Sequence, residues 1–140
     1  MNIYRLDYIK FEDEVNNKIY FLGYFSTYDS VLIGIEAYSK MPGFSNNPNN
    51  FEINEYFLDD FEEREVVYDV TVYFHNIDYS IEYFHCLGLF GNHHRANNKL
   101  NTYEKLNKDR IIDNSLIYES FVNKHIINKY HLSEGFDSDH

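Results

Sequence analysis

The sequence carries one pattern twice, and a repeated pattern restricts the chain to folds built from two similar units. Residues 22–25 (Leu-Gly-Tyr-Phe) correspond to residues 87–90 (Leu-Gly-Leu-Phe) at a spacing of 65 residues. Residues 53–58 correspond to residues 127–132 at a spacing of 74, so the second copy holds nine additional residues before its last strand. Coincidence is the alternative explanation, and the matching order of the elements favours a duplication.

Hydrophobic periodicity predicts the same element order in both copies, namely two strands, a helix and a third strand. One helix begins at a cap provided by Ser26 or Thr27 and stops at Pro42-Gly43, and its apolar stripe is Tyr28, Val31, Leu32, Ile35 and Tyr38. The other begins after Asn92, and a short extra helix is a further option within 107–120. Strands are expected at 2–11, 18–25, 51–58, 66–74, 79–90 and 121–132.

These elements predict an α+β fold made of two diverged β-β-α-β repeats. We expect mainly antiparallel sheet structure of about six strands, in one sheet or two, with two helices packed on it. The first repeat is expected to span 1–61 and the second 62–136, with a longer connection between its helix and its last strand, and 137–140 form a frayed tail. A three-stranded unit with one helix covers a single sheet face, so the two copies are expected to share a core.

The charge balance bears on the kind of partner. Asp and Glu number 23 against 12 Lys and Arg, a net charge of −11. Such a field repels phosphate backbones and therefore disfavours direct nucleic-acid binding. It favours encounter with a basic protein, although the same charge can serve solubility alone.

Cysteine content and hydropathy indicate the compartment. Cys86 is the single cysteine, so an internal disulfide is impossible and a reducing environment fits. The first residues lack the pattern of a signal peptide, and no apolar run approaches the ~18 residues of a membrane span. We therefore expect a cytoplasmic protein without membrane contact.

No residue pattern predicts catalysis, a metal or a cofactor. His93 and His94 are adjacent and point to different sides of a helix, so they do not form the i, i+4 pair of a helical metal site. A site that also used His75, His85 or Asp78 is the alternative. Cys86 is expected to be a small core residue beside Phe84, Gly88 and Phe90. Glycine-rich phosphate loops and hydrolase or redox motifs are missing from the sequence, so we predict a protein that is not an enzyme.

Acidic residues cluster where the two copies meet. A solvated charge run is the ordinary interpretation, and a contact surface for a basic partner is the alternative. In the second case the carboxylates would pair with Lys and Arg of that partner. Exposed tyrosines, from a total of 14, are a second and weaker interface signal. The candidate partner-binding residues are Glu55, Asp59, Asp60, Glu62, Glu63 and Glu65.

The first copy resembles a small bacterial β-β-α-β domain family of unknown function. The similar elements are residues 23–27 (Gly-Tyr-Phe-Ser-Thr), 41–44 (Met-Pro-Gly-Phe) and 51–59 (Phe-Glu-Ile-Asn-Glu-Tyr-Phe-Leu-Asp), and residues 134–136 (Glu-Gly-Phe) fit a later element. The second copy departs from this pattern because it has no Pro-Gly-Phe. The resemblance implies a fold and no activity.

In size, charge and expected compartment the chain also resembles immunity proteins of bacterial toxin–immunity systems. This likeness implies a protein-binding inhibitor whose partner is a cognate toxin or another basic protein, and that is the first hypothesis. A nucleic-acid-mimic inhibitor of a nuclease or DNA-binding protein, encoded by a phage or mobile element, is the alternative. An enzyme or metal protein that uses the histidines is the third hypothesis.

Overall fold

The computed structural model describes residues 1–11, 17–44, 50–112 and 115–130. The predicted α+β class is confirmed. The chain forms two compact units: the first comprises Met1–Leu58 together with the chain from Ile126 onward, and the second comprises Asp59–His125. The sequence placed the boundary at 61/62 and assigned the segment after Ile126 to the second repeat. The predicted tail, 137–140, lies outside the described residues.

Among the described residues each unit contains one three-stranded sheet, so the strands form two sheets. The strand order is β2-β1-β3 in the first unit and β5-β4-β6 in the second. The described part of the chain holds no helix long and apolar enough to cross a membrane. The first unit consists of β1 (Asn2–Phe11), β2 (Asn17–Phe25), α1 (Tyr28–Ser39) and β3 (Phe51–Phe57), and the second of β4 (Val66–His75), β5 (Glu82–Phe90), α2 (His93–Leu106), α3 (Lys108–Ile112) and β6 (Ile117–Ile126).

A β-bulge interrupts the antiparallel pairing of β1 with β2. Leu6 lies opposite Gly23, but the next residue, Asp7, lies opposite Phe21. Leu22 is therefore an extra residue on β2, and its side chain is buried in the core. A bulge of this kind bends the strand and increases its twist.

The second unit has the same bulge at the equivalent position. Val70 lies opposite Gly88, while Thr71 lies opposite Cys86, so Leu87 is the extra residue. Gly88 has a φ of +153°, and the glycine of the first bulge has +149°, a backbone conformation that side-chain-bearing residues rarely adopt. The 65-residue spacing found in the sequence thus connects structurally equivalent glycines.

The bulge in β5 determines which residues share a face of the sheet. Phe74 lies beneath Arg110 of α3 at 4.8 Å, so β4 residues of even number face the helices. The opposite face, here called the distal face, carries Tyr73 and His75. Because the register shifts by one residue at Leu87, Phe84 lies opposite Tyr73 and joins the distal face.

The third strand of the second sheet, β6, runs antiparallel to β4. Two cross-strand contacts, His75 with Glu119 and Asp69 with His125, both measure 2.8 Å. Moving six residues along β4 moves the partner six residues back along β6, which is the spacing of antiparallel pairing. β6 ends at Ile126, earlier than the strand predicted at 121–132, whose residues 131 and 132 are outside the described residues.

The core of the first unit lies between β1, β2 and α1. The Pro-Gly-Phe element contributes directly, because Phe44 is fully buried and packs edge-on against Tyr8 at 4.9 Å and in a stack with Phe51 at 5.9 Å. Tyr38 of α1 donates a hydrogen bond to the carbonyl oxygen of Leu22 at 3.0 Å. The core residues are Leu6, Tyr8, Leu22, Phe25, Val31, Tyr38 and Phe44.

Both helix starts follow the predicted caps. Thr27 Oγ1 accepts a hydrogen bond from the Ser30 backbone N–H at 3.1 Å, and Asn92 Oδ1 accepts one from the Arg95 N–H at 3.0 Å. Each cap satisfies a backbone donor that the helix leaves without a partner.

The buried face of α1 differs from the predicted stripe. Tyr28 and Leu32 are exposed, which corrects their assignment to the core. A Cβ at Gly34 would lie 3.2 Å from the Tyr130 ring, so the small residue allows that ring to approach the helix. The buried residues of α1 are Val31, Gly34 and Tyr38.

After β6 the chain contributes to the first unit through Asn128. This residue has a φ of +66°, and its backbone N–H donates to the carbonyl oxygen of Tyr24 at 2.7 Å. Its side chain accepts from the Ser26 N–H at 3.1 Å and donates to Ser26 Oγ at 2.9 Å. Residues 127–130 therefore hold β2 and the start of α1, and they do not occupy the strand position of residues 53–58.

We predict that Gly23→Ala lowers the free energy of unfolding more than Gly88→Ala does. Each substitution places a Cβ at a strained positive φ, which costs about 1–3 kcal/mol. At Gly23 the new atom would also lie 2.9 Å from the Lys129 backbone oxygen, whereas at Gly88 it meets a side-chain ring at 3.2 Å that can shift. Urea denaturation of both variants measures the difference. Equal losses would contradict the role given to the Lys129 contact.

Candidate functional site

Part of the predicted acidic surface binds the start of α2. Asp60 Oδ1 accepts a hydrogen bond from Gly91 N–H at 2.9 Å, and its Oδ2 lies 3.2 Å from Arg95 Nη1. Glu62 Oε1 accepts from His93 N–H at 2.6 Å. Negative side chains at a helix N-terminus stabilise it, because the helix dipole is positive there. Asp60 and Glu62 thus have a structural role within the second unit.

The other acidic candidates are exposed. Glu55 lies on β3 of the first unit, and Asp59, Glu63 and Glu65 precede β4 in the second. Their participation in partner binding stays a prediction.

The histidines singled out in the sequence lie in different surroundings. His93 Nδ1 lies 3.2 Å from Asn97 Nδ2, and its ring meets the Tyr68 ring edge-on at 5.1 Å. His75 is buried in β4, while His85 is exposed on β5. Within 1–11, 17–44, 50–112 and 115–130, no three or more His, Cys, Asp or Glu side chains are placed to hold a metal ion.

Cys86 is exposed, which corrects its expected place in the core. The sequence argument assumed strict alternation along β5, which would put Cys86 on one face with Gly88 and Phe90. The bulge at Leu87 breaks that alternation, so Cys86 lies opposite Thr71 on the distal face.

Four aromatic rings form a continuous stack on the second unit, here called the aromatic column. Phe84 stacks on Tyr73 at 4.1 Å and 9°, Tyr73 on His75 at 4.7 Å and 28°, and His75 on Tyr79 at 4.3 Å and 10°. Two neighbours cannot occupy the same side of one ring, so the order in space is Phe84, Tyr73, His75, Tyr79. The two inner rings are buried, whereas Phe84 and Tyr79 at the ends are 66% and 55% exposed.

Carboxylates fix the inner rings of the column. The Tyr73 hydroxyl donates a hydrogen bond to Glu82 Oε1. His75 Nε2 lies 2.8 Å from Glu119 Oε2, and its Nδ1 lies 2.9 Å from the backbone oxygen of Asn76. Glu82 and Glu119 are exposed, so the column has a negatively charged rim.

The β4–β5 turn holds Tyr79 against His75. Asn76 Oδ1 accepts from the Ile81 N–H at 3.0 Å, and Asn76 Nδ2 donates to Ser80 Oγ at 2.8 Å. Ser80 also donates to Asp78 Oδ1 from its backbone and its hydroxyl, and these bonds hold the pKa of Asp78 below its usual value. Tyr79 has a φ of +60°, a conformation that a bulky residue keeps only when its surroundings enforce it.

The β4–β5 hairpin therefore presents a rigid aromatic surface of one charge sign. Residues 66–90 contain three carboxylates, Asp69, Asp78 and Glu82, and no Lys or Arg. Ile77, at 86% exposure, adds apolar surface at the turn. The sequence analysis did not find this site, and the local signal was the coincidence of tyrosines with a long segment that lacks basic residues.

A small cavity of about 140 Å³ lies in the first unit between α1 and the chain after β6. Ligand pockets generally enclose about 300–1,000 Å³, so this cavity is too small for a drug-sized molecule. Its lining residues are Phe25, Ser30, Ile33, Asn128 and Tyr130.

Comparisons of this chain with protein-family models, with curated proteins and with solved structures give no match. The two resemblances stated from the sequence stay predictions.

We predict that Tyr73→Phe makes the protein less sensitive to alkaline pH. Burial, the hydrogen bond to Glu82 and the charge of that carboxylate raise the pKa of Tyr73 to about 12. The unfolded tyrosine titrates near pH ~10, so the folded state resists ionisation, and this stabilisation is present below pH ~10 and lost as pH rises to about 12. Urea denaturation between pH ~9 and ~12 should show a smaller loss of stability for Tyr73→Phe than for the wild type.

Tyr118 and Tyr28 supply comparisons for this experiment. Burial and Glu104 raise the pKa of Tyr118 to about 12 as well, so Tyr118→Phe should remove a second part of the alkaline loss. Tyr28 is exposed on α1, so Tyr28→Phe is the control for the loss of a tyrosine hydroxyl at the surface. Parallel curves for Tyr73→Phe and the wild type would contradict the prediction.

Proposed function

We propose that this protein is a cytoplasmic, protein-binding inhibitor of the immunity type, which neutralises a cognate bacterial toxin by direct contact. One observation carries the proposal: an exposed, prestacked aromatic column with a carboxylate rim, in a hairpin without Lys or Arg. The proposed activity requires neither catalysis nor a cofactor.

The physical properties of the column suit tight protein recognition. Binding hot spots are rich in Tyr and other large side chains that fill partner pockets. Stacking and the bonded turn fix the rings beforehand, so binding loses less conformational entropy than it would with mobile side chains. Phe84 and Tyr79 are the two rings with most to gain from burial against a partner, because their neighbours Tyr73 and His75 are already buried.

The exposed carboxylates are assigned a different role in this proposal. The net charge of −11 attracts a basic toxin over a distance, and Glu55, Asp59, Glu63 and Glu65 contribute to that field. Charges at the rim of an interface mainly change the association rate, and salt screens their effect. The association rate is therefore expected to fall as salt rises, while the dissociation rate depends on the rings.

We predict that Phe84→Ala weakens toxin binding at least tenfold, about 1.4 kcal/mol. The partner to be used is the C-terminal domain of the protein encoded immediately upstream, titrated into the full chain by calorimetry. Phe57→Ala is the matched control. Phe57 is 70% exposed on β3, and its substitution removes the same kind of side chain from the first unit. Circular dichroism checks that both variants keep the wild-type fold.

The outcomes separate the hypotheses. Tight binding that Phe84→Ala weakens and Phe57→Ala does not supports the proposal, together with loss of the partner's toxicity. Binding that neither substitution weakens, and whose affinity increases with the number of carboxylates, favours the nucleic-acid-mimic inhibitor. Failure of the wild type to bind the upstream domain refutes the proposal for that toxin.

A further inference from the structure

We propose that the ends of the aromatic column bind arginine side chains of a basic partner protein, with the guanidinium stacked on Phe84 or Tyr79 and paired with a neighbouring carboxylate. This inference rests on the proposed protein-binding function and names the chemical group that the site recognises. It concerns the second unit alone.

The geometry of the end rings leaves one side of each for a ligand. Phe84 uses one side of its ring on Tyr73, and Tyr79 uses one side on His75. Both rings remain more than half exposed. The outer side of each ring is a negative π surface, which attracts a cation placed over it.

Two exposed carboxylates lie beside the column. Glu82 is two residues from Phe84 on the same face of β5, because it lies opposite His75 as Phe84 lies opposite Tyr73. At the other end, Glu119 bonds to the His75 ring on which Tyr79 stacks, and 44% of its side chain is exposed. Each end ring thus stacks on an inner ring that is itself bonded to a carboxylate.

In the first unit, one arginine of the chain itself contacts both aromatic rings and a carboxylate. On the face of its sheet that α1 does not cover, Arg5 lies over the Phe21 ring at 4.9 Å and 5.8 Å from the Tyr24 ring. Its Nε lies 2.9 Å from Asp7 Oδ2, so one guanidinium contacts rings and a carboxylate together. In the second unit, Arg110 of α3 makes a similar contact, over the Phe74 ring at 4.8 Å.

The second unit lacks that arginine at the equivalent place. The matching bulges align Leu6 with Val70, so the residue that corresponds to Arg5 is Asp69. The distal face of the β4–β5 hairpin carries its own rings and carboxylate at other positions, Tyr73, His75 and Phe84 with Glu82, and residues 66–90 contain no Lys or Arg. A guanidinium from another protein would add a cation to these rings and carboxylates.

Arginine is favoured over lysine for a physical reason. The guanidinium is planar and weakly hydrated, so it stacks on a ring and still donates two hydrogen bonds to a carboxylate. The lysine ammonium is compact and strongly hydrated, and it gains mainly from charge. A site that only attracts charge would treat the two alike.

The test uses hexa-arginine and hexa-lysine, which carry the same charge, as probes of the full chain. Dissociation constants come from NMR titrations of isotopically labelled protein at low and at physiological ionic strength. Hexa-arginine should bind about fivefold more tightly, the ratio expected from one exposed cation–π contact. Phe84→Ala and Tyr79→Ala together should abolish this preference, whereas Phe57→Ala with Tyr28→Ala should keep it.

Substitutions that remove one charge at a time identify the carboxylate that pairs with the bound arginine. Glu82→Gln should weaken hexa-arginine binding more than Glu63→Gln, which removes the same charge from the segment before β4. Equal affinity of the two peptides, or equal effects of Glu82→Gln and Glu63→Gln, would overturn the arginine site. Toxin binding without an arginine preference would refute this inference and leave the proposed function standing. An arginine preference without toxin binding would refute the proposed function and leave the arginine site standing.

Discussion

The structure depends on a backbone constraint at two equivalent glycines. Gly23 and Gly88 hold positive φ angles beside a one-residue bulge, and each bulge shifts the strand register by one. Without the shift at Leu87, Phe84 would lie opposite Phe74 on the helix-covered face. With it, Phe84 lies opposite Tyr73 and completes the stack. A conformational requirement of one residue thus decides whether the second unit has an aromatic site.

The same bulge leads to different surfaces in the two units. On the face of the first sheet opposite α1, Arg5 is partly buried and Asp7 is buried, and the two satisfy each other among aromatic rings. On the distal face of the second, the rings stack on one another and the nearby carboxylates, Glu82 and Glu119, bind ring atoms and remain exposed. Repetition of the backbone therefore coexists with divergence of side-chain chemistry, and the proposed arginine site belongs to the second unit alone.

Sequence patterns among neighbouring residues predicted the strands and helices, whereas contacts between residues distant in sequence determine the candidate site. Strand alternation and helix caps depend on residues close in sequence, which is why β1, β4 and the caps Thr27 and Asn92 were predictable. The exposure of Cys86 was not predictable. A bulge reverses the alternation of side chains along a strand, and one glycine was the sequence signal for it. The acidic stretch was recognised, but the bonds of Asp60 and Glu62 to the start of α2 join residues about thirty positions apart.

The turn between β4 and β5 explains why the column can be rigid and exposed together. Tyr79, at an exposed end of the stack, gains little from burial, so its position needs support from elsewhere. Asn76 and Ser80 provide it through side-chain bonds that close the turn, and they keep Tyr79 at φ +60° over His75. Strain that the surroundings enforce is commonly found where a protein presents groups for binding. The turn that holds Tyr79 thus belongs to the proposed interface as much as the rings do.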